Sequence, residues 1–303
     1  MCTRAAATAS DSAGIATTAT ASAPSAVRPL MARPSSRSAD YCERVVPPPS
    51  LLREFARDPG RSVFVRVRTA DAEWTGAVND DVNRPAASLL KLPLAMALEP
   101  LLPDHKPQRV GDLLDERDDA SVLMALDPDR VLAPEEILRL MLSASDNACA
   151  RWALRSVGLQ DVRAAVRECG ALVTTVDEDP DEPGMLTGTT TARDAVTLLD
   201  ETLDRTRFPV SAFALEHSIR NSRIPLGATD EDVLVAHKTG TLSGVASDVA
   251  RLTCRTGTMS IAFLTDSQHD ILVTGYEMGV CTRGLLDHFD LQVTRTVSAE
   301  VSV

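Results

Sequence analysis

The stretch Arg84-Pro85-Ala86-Ala87-Ser88-Leu89-Leu90-Lys91 places a serine three residues before a lysine, at the start of a run of good helix formers that continues to about Leu98. Residues at this spacing share one helix face, so the Ser88 hydroxyl and the Lys91 amine can meet. A neutral lysine could take the serine proton and make Ser88 a nucleophile. By itself the spacing favours a capping serine followed by a surface lysine. The leucines around Lys91 argue against a surface position, because a helix that is apolar on most faces is buried.

Lysine is rare in this chain. Of the 31 basic residues, only Lys91, Lys106 and Lys238 are lysines, and all the others are arginines. Lysine can lose its proton near neutral pH, whereas arginine cannot. We therefore expect Lys91 and Lys238 to occupy positions that arginine could not fill.

A second candidate motif, Ser145-Asp146-Asn147, follows a helical run that ends near Ala144. The Ser145 hydroxyl could pass a proton to a leaving group, and the Asn147 side chain could hydrogen-bond a substrate amide. The alternative is an interhelical turn in which Ser145 or Asp146 caps the next helix. Asp146 suits that role and would hold the loop in place.

A third candidate motif, Lys238-Thr239-Gly240, follows the apolar run Val233–Ala236 and is expected at the end of a strand. Gly240 lets a ligand approach the backbone closely, and the next residue, Thr241, offers a main-chain N–H. Lys238 and the Thr239 hydroxyl could meet an incoming carboxylate. The alternative is an ordinary strand end with a turn glycine.

The hydrophobic pattern predicts a strand pair, a long helical middle, then three strands and a helix. The predicted strands are 62–68, 73–78, 233–237, 249–254 and 259–264, and the predicted helices are 50–56, 88–98, a helical region 110–165, 189–202 and 282–289. Both chain ends would complete one antiparallel sheet, with the helical middle, about 100–205, as a second lobe of an α+β fold. Residues 1–42 are rich in Ala, Ser and Thr, so we expect a disordered tail there and a catalytic domain over 43–303.

Composition excludes several classes of protein. A formal net charge of −12 and a pI of about 4.9 argue against nucleic acid or an anionic membrane surface as partner. No stretch approaches about 18 uninterrupted apolar residues, so no transmembrane helix is expected. The six cysteines and five histidines show no metal-ligand spacing. The N-terminal segment lacks the apolar core of a signal peptide, so we expect a cytoplasmic protein, with secretion as the alternative if the true start lies elsewhere.

Together the three motifs, in this order, are the signature of class A β-lactamases and penicillin-binding proteins, and the chain resembles class A in particular. The resemblance covers roughly residues 50–289 and extends to the approach 84–88, to Arg223-Ile224-Pro225 and to Thr189-Thr190-Thr191. It implies a β-lactamase/transpeptidase-like fold, with a five-stranded antiparallel sheet flanked by helices and an all-helical lobe.

The resemblance also implies roles for eight residues. The catalytic residues would be Ser88, Lys91, Ser145 and Lys238, and the substrate-binding residues Asn147, Thr239, Gly240 and Thr241. Ser88 would be the acylated nucleophile and Lys91 its activating base, while Ser145 would relay a proton to the leaving nitrogen. The N–H groups of Ser88 and Thr241 would form the oxyanion hole. This chemistry needs no cofactor or metal, and the expected partner is a small-molecule acyl substrate of a protein we expect to be a monomer.

The chain departs from the class A pattern in the acidic stretch 176–186. Class A enzymes clear the acyl-enzyme with a glutamate in a Glu-x-x-Leu-Asn motif, and here Met185 and Leu186 stand where Leu and Asn belong. We interpret the stretch as a solvated loop, with Glu182 as an alternative base. Hydrolysis of the acyl-enzyme should then be slow. Lys91 could activate water, the acyl group could pass to an amine or alcohol, or β-lactams could be trapped.

A second departure concerns the substrate carboxylate. Relatives often place an arginine after the third motif to bind it, and here Ala246 and Ser247 fill those positions. Arg220 or Arg223 could reach the site instead, or could serve only the structure.

Three functions remain open. The first is a class A β-lactamase-like serine hydrolase acting on β-lactam or related amide and ester bonds. The second is an intracellular esterase, amidase or acyltransferase of small-molecule metabolism, with slow or absent β-lactam turnover. The third is a sensor that binds β-lactams or peptides without turnover, against which the intact set of titratable groups argues.

Overall fold

A computed structural model describes residues 48–116, 118 and 120–291, which belong to one compact unit. The predicted tail, residues 1–42, lies outside the described residues. The strands of the described part are β1 (Arg61–Thr69), β2 (Glu73–Val78), β3 (Arg84–Pro85), β4 (Gln108–Arg109), β5 (Val131–Leu132), β6 (Asp177–Glu178), β7 (Leu186–Thr187), β8 (Thr189–Thr190), β9 (Leu234–Leu242), β10 (Val245–Cys254) and β11 (Gly257–Thr265).

The largest sheet joins both ends of the described chain. Its strand order is β2-β1-β11-β10-β9, and every neighbouring pair is antiparallel. Its inner strands are buried almost without interruption, which indicates that both faces are covered. The predicted α+β fold with a five-stranded antiparallel sheet is confirmed. β9 is an edge strand, so one side of its backbone is left for other contacts.

Helices cover both faces of this sheet. The α-helices are α1 (Pro48–Phe55), α2 (Lys91–Leu98), α3 (Val110–Leu113), α4 (Pro134–Ser143), α5 (Asn147–Val157), α6 (Leu159–Glu168), α7 (Ala192–Thr202), α8 (Pro209–Glu216) and α9 (Ile271–His288). Four 3₁₀ segments join them within the described residues, at Ala87–Leu90, Glu99–Asp104, Val122–Ala125 and Ile224–Gly227. None of the described helices is both long and apolar enough to cross a membrane.

Two hydrophobic cores lie on opposite faces of the sheet. One packs α1 and α9 against it, with the rings of Phe55 and Phe263 at 4.5 Å between centroids. The other surrounds α2, where Leu92, Leu94 and Leu98 are fully buried. A helix that is apolar on most faces is stable only when it is enclosed. The sequence of α2 therefore places Lys91, its first residue, inside the protein.

Several boundaries differ from the predictions. The last helix begins at Ile271 rather than near residue 282, because exposed apolar residues such as Leu272 hide its amphipathic pattern. The helical region 110–165 is divided into α3, a 3₁₀ turn, a short strand and α4–α6. The helix predicted from Thr189 begins at Ala192, because Thr189 and Thr190 pair with β3 while the Thr191 hydroxyl caps α7.

The third motif also differs from its prediction. Lys238-Thr239-Gly240 lies inside β9 rather than at its end, because β9 continues to Leu242 and returns through a hairpin as β10. The motif is therefore held by ladder pairing on one side, and its other side lies at the sheet edge.

Candidate active site

Ser88 lies in a strained turn just before α2. The backbone of Ala87 has a φ of +49°, an unusual value for a residue with a side chain, in the 3₁₀ segment that holds Ser88. Such strain persists only where the surrounding structure imposes it. Here the buried Arg84 fixes the approach: its Nε donates to Ser62 Oγ at 3.1 Å and its Nη2 to the Pro59 carbonyl at 2.6 Å. The half-buried Ser88 is thereby presented at the wall of a cavity.

Lys91 is buried next to the second motif. Its Nζ donates to the Ser145 carbonyl at 2.6 Å and to Asn147 Oδ1 at 2.7 Å, and it lies 3.4 Å from Ser145 Oγ. Burial lowers the pKa of Lys91 to about 7, although the nearby Asp146 carboxylate acts in the opposite direction. The amine can therefore take up and release a proton near neutral pH.

Ser145 lies between the two buried lysines. Its φ of +60° turns the chain sharply between α4 and α5, and its hydroxyl accepts a hydrogen bond from Lys238 Nζ at 2.8 Å. Burial, reinforced by the charge of Lys91, holds the pKa of Lys238 well below its usual value. The first, second and third motifs thus meet at one hydroxyl group.

Asp146 holds this loop in place. It is the N-cap of α5, where one carboxylate oxygen accepts from the Cys149 N–H at 3.0 Å. The other oxygen accepts from Ser121 Oγ at 2.7 Å and from the Val122 N–H at 2.9 Å. The structure thus shows the capping contact that the sequence suggested. The contacts to residues 121 and 122 join segments that are far apart in the chain, and sequence pattern contains no signal for them.

Gly240 lies where β9 passes close to the nucleophile turn. A Cβ atom at this position would lie 3.0 Å from the carbonyl oxygen of Ala86 and 3.3 Å from the Cβ of Ala87. Both distances are tighter than nine in ten real Cβ contacts, so a side chain here would make its neighbours shift by a few tenths of an ångström. The glycine therefore allows β9, with Thr241, to lie directly beside the turn that carries Ser88.

Arg223 binds the backbone of this strand. Its Nη1 donates to the Gly240 carbonyl at 2.9 Å and also to the carbonyl of Ser247, and its Nη2 donates to Thr241 Oγ1 at 2.6 Å. The side chain is buried. Of the two arginines that the sequence analysis considered for a substrate carboxylate, Arg223 is therefore committed to holding β9 and β10.

Ser88 opens into a cavity of about 290 Å³. Four of the predicted site residues line it, namely Ser88, Lys91, Asn147 and Thr241. Lys238, Thr239 and Gly240 do not line it and are buried in β9. Much of the remaining wall is apolar and consists of Leu90, Leu94, Ala150, Met185, Leu186 and Leu242.

A second cavity, of about 280 Å³, adjoins the first at the second motif. Ser145, Asp146 and Arg220 line it, and it shares Asn147, Glu182 and Met185 with the first. Ser145 lines this cavity and Ser88 lines the first, and the two cavities adjoin at their shared residues. No cluster of metal-binding side chains is present among the described residues.

The acidic stretch forms part of both cavity walls. It contains a short ladder in which Asp177 pairs with Thr187 and Glu178 with Leu186. Glu182 is exposed, as expected of a solvated loop, and it also lines both cavities. The sequence contained only a weak signal for this placement, a glutamate followed by proline without the rest of the motif.

Comparison with known proteins agrees with this architecture. Residues 50–279 match the model of the beta-lactamase enzyme family. Because the match spans most of the chain, the protein belongs to this family. None of the curated protein sequences matches it.

Solved structures show the same fold at low sequence identity. A beta-lactamase from Sphaerobacter thermophilus is 24% identical, with a TM-score of 0.66 over 80% of this chain and 95% of that chain. The extended-spectrum beta-lactamase TLA-1 is 22% identical, with a TM-score of 0.67 over 80% and 98%. PBP-A, solved as an acyl-enzyme complex with penicillin G, is 20% identical, with a TM-score of 0.66 over 80% and 96%. The β-lactamase-like fold of this chain is therefore confirmed.

Proposed function

We propose that the protein is a serine hydrolase that cleaves β-lactam or related amide and ester bonds through an acyl-enzyme on Ser88. The observation that carries the proposal is the contact of Ser145 Oγ with both buried lysines, 2.8 Å from Lys238 and 3.4 Å from Lys91, beside the cavity that contains Ser88. A purely structural role gives no reason to bury two lysines at one hydroxyl, because burying a charge without an opposite charge is costly.

The proposed acylation moves one proton along this chain of groups. Neutral Lys91 takes the proton of Ser88, and Ser88 Oγ attacks the carbonyl carbon of the substrate. The Ser88 and Thr241 N–H groups stabilise the oxyanion that forms. The proton then passes from Lys91 to Ser145 and from Ser145 to the leaving nitrogen or oxygen. Lys238, which donates a hydrogen bond to Ser145 Oγ, orients this hydroxyl for the transfer.

The wall of the first cavity supports an apolar acyl group in the substrate. Its leucine and methionine side chains would bury such a group next to Ser88, and burial contributes about 0.8 kcal/mol for each CH₂ removed from water. Penicillins and simple esters with aromatic or aliphatic acyl groups meet this requirement.

A second function, acyl transfer, is supported by the cavity beside Ser145. The first cavity holds the acyl donor, and a second cavity next to the proton-relaying serine offers a place for an acceptor other than water. The absence of the Glu-x-x-Leu-Asn motif agrees with this, because without a positioned base water attacks the acyl-enzyme slowly.

The test is intact-protein mass spectrometry after mixing with benzylpenicillin or a phenylacetyl thioester, followed from seconds to hours. We expect a mass increase equal to the acyl group, located on Ser88 by peptide mapping, and no increase in Ser88→Ala. Ser243→Ala, a change in the exposed hairpin after β9, is the matched control and should be acylated like the wild type. Turnover of either compound by Ser88→Ala would contradict the proposal, and so would failure of wild type to form an adduct with a broad panel of esters, thioesters and β-lactams.

A further inference from the structure

A third cavity, of about 280 Å³, lies between α6 and the chain segment 171–177. It shares no lining residue with either cavity of the active site, and we call it the α6 cavity. Three buried apolar side chains form part of its lining, namely Val166, Ala171 and Val176. The cavity therefore offers an apolar surface at a place that the proposed reaction does not use.

The charged groups of the α6 cavity are two arginines and one aspartate, which give its lining a formal net charge of +1. Arg163 is engaged, because its Nε donates to the Val176 carbonyl at 2.8 Å and its guanidinium forms an ion pair with Asp177. Arg167 is exposed in the last turn of α6 and has no hydrogen bond or ion pair to any residue within 48–116, 118 and 120–291. One guanidinium is thus available to a ligand.

This combination suits a small monoanion with a hydrocarbon chain. A guanidinium binds both oxygens of a carboxylate through two parallel hydrogen bonds, and a single carboxylate balances the charge of the lining. The buried apolar side chains favour a hydrocarbon chain over a second polar group. A cavity on the order of 150 Å³ holds benzene, so the α6 cavity has room for an acid with a chain of several carbons.

The segment that lines the α6 cavity is hydrogen-bonded to the wall of the Ser88 cavity. Asp177, which lines the α6 cavity, pairs with Thr187, which lines the Ser88 cavity. The Thr175 N–H donates to the Thr189 carbonyl at 2.8 Å, and the Thr189 N–H donates to Thr175 Oγ1 at 2.9 Å. A ligand that fixes residues 174–177 therefore acts on a backbone that also forms the substrate wall.

The same backbone continues to the nucleophile turn. The Gly188 carbonyl accepts a hydrogen bond from the Ala86 N–H at 3.0 Å, and β8 pairs with β3 just before Ser88. A Cβ atom at Gly188 would lie 2.2 Å from the Thr175 carbonyl oxygen, so only a glycine lets the two segments pack this closely. Backbone contacts thus connect the lining of the α6 cavity to the residues that present Ser88.

We propose that the α6 cavity binds a small carboxylic acid with an apolar chain, and that the bound acid orders residues 174–190 and thereby speeds acylation of Ser88. Arg167 binds the carboxylate, and the chain lies against Val166 and Val176. The acid joins α6 to residues 174–177, so the wall of the Ser88 cavity is already ordered when the acyl donor binds. Only the effect on acylation rests on the proposed function, whereas binding and ordering do not.

The binding part is tested by calorimetric titration of the wild-type protein with hexanoate. Acetate, which lacks the chain, and hexylamine, which lacks the carboxylate, are the comparison ligands. We expect hexanoate to bind at least tenfold more tightly than either, and Arg167→Gln to weaken hexanoate at least tenfold. The matched control is Arg155→Gln, a change of an exposed arginine in the last turn of α5 that does not line the cavity, and it should bind hexanoate like the wild type.

Two results would overturn the site. One is hexanoate binding no more tightly than acetate. The other is Arg167→Gln binding hexanoate like the wild type, which would mean that the acid binds elsewhere, for example in the Ser88 cavity. Neither result depends on acylation, so the site and the proposed function can fail independently.

The ordering part is tested by amide hydrogen exchange with and without saturating hexanoate. We expect exchange in peptides covering residues 174–190 to slow at least threefold in the wild type and in Arg155→Gln, and to stay unchanged in Arg167→Gln. The rate of adduct formation on Ser88 at a low donor concentration should rise at least threefold in the same two proteins. Hexanoate that binds without slowing exchange, or that slows exchange without raising the rate of a measurable acylation, would contradict the coupling.

Discussion

At the scale of single residues, the site depends on two lysine amines whose pKa values are lowered by burial. Lys91 and Lys238 are enclosed by α2, α5 and β9, and neither has a carboxylate as a direct hydrogen-bond partner among the described residues. Desolvation therefore dominates their protonation and favours the neutral form. An arginine at either position would keep its charge. This explains why lysines occur here in a chain that otherwise prefers arginine.

The protonation of Lys91 predicts the pH dependence of acylation. Since its pKa is lowered to about 7, Lys91 is protonated and inactive as a base below that pH and neutral above it. The rate constant for adduct formation should rise about tenfold per pH unit in the acidic range and level off above about pH 7. Stopped-flow measurements with a chromogenic donor provide the profile. Lys91→Arg should lose the rate at every pH, Lys106→Arg should keep the wild-type profile, and a flat wild-type profile between pH 5 and 8 would contradict the assignment.

A second prediction concerns Asp146. Its carboxylate caps α5 and holds residues 121 and 122, so Asp146→Ala leaves buried N–H groups without their acceptor. The free energy of unfolding should fall by about 1–3 kcal/mol, measured by urea denaturation. Exposed Asp129, whose ion pair with Arg109 lies at the surface, is the control, and Asp129→Ala should change stability by no more than about 1 kcal/mol. If both changes lower the free energy of unfolding equally, the contacts of Asp146 stabilise the protein no more than a surface ion pair does, and the prediction is wrong.

At the scale of elements, the site is made by the close approach of one edge strand and one turn. β9 is paired with β10 on one side, and its Gly240 lies close to Ala86 and Ala87 in the turn that leads into Ser88. Arg223 holds the carbonyls of Gly240 and Ser247 on the two strands. The strained turn at Ala87 lies against Gly240 of β9, and the strained turn at Ser145 is held by hydrogen bonds from Lys91 and Lys238.

The close approach of β9 to the nucleophile turn predicts the effect of adding one methyl group at Gly240. In Gly240→Ala the new Cβ would lie 3.0 Å from the Ala86 carbonyl oxygen, so β9 or the nucleophile turn must move. We expect the rate constant of acylation to fall at least tenfold, because small misplacements of reacting groups have large costs. The rate of adduct formation at fixed donor concentration measures this. Ser243→Ala serves as the matched change in the same hairpin, and an acylation rate within twofold of wild type in Gly240→Ala would refute the argument.

At the scale of the whole molecule, the two hydrophobic cores differ in how closely they contact the active site. The core around α2 supports Ser88 and Lys91 directly, whereas the core between the sheet, α1 and α9 lies on the opposite face. A substitution in the core between the sheet, α1 and α9 can therefore lower the stability of the protein without changing the geometry of the active site.

Phe263 tests this separation. It is fully buried against Phe55 in the second core, and Phe263→Ala should lower the free energy of unfolding by about 3–5 kcal/mol. The acylation rate at 25 °C should stay within about threefold of wild type as long as the protein is folded. Thermal and urea denaturation measure the first effect and adduct formation the second. Leu272→Ala, a change at an exposed residue of α9, is the control for stability; a parallel loss of activity in folded Phe263→Ala would show that the two cores are coupled.

The sequence by itself predicted the five large strands, because strand alternation is a local property. The fold class and the set of residues that meet at Ser145 were predicted from the resemblance of the three motifs, in their order, to class A β-lactamases, with the rare lysines drawing attention to two of the motifs. The predicted roles, the monomeric state and the cytoplasmic location stay predictions. The sequence misplaced the start of α9 and the end of β9, since exposed apolar residues weaken helical periodicity and a hairpin extends a strand beyond its apolar run.

Only the tertiary structure shows which charged side chains are held by distant residues and which line a cavity. Arg220 and Arg223 lie three residues apart and look alike in sequence, yet Arg223 is buried against β9 while Arg220 faces a cavity. Glu182 looks like any other carboxylate of an acidic loop, yet it lines both cavities. Whether a charged side chain is engaged or available depends on partners that are distant in the chain, such as the carbonyls of Gly240 and Ser247. Local pattern carries no information about those partners, whereas packing determines them.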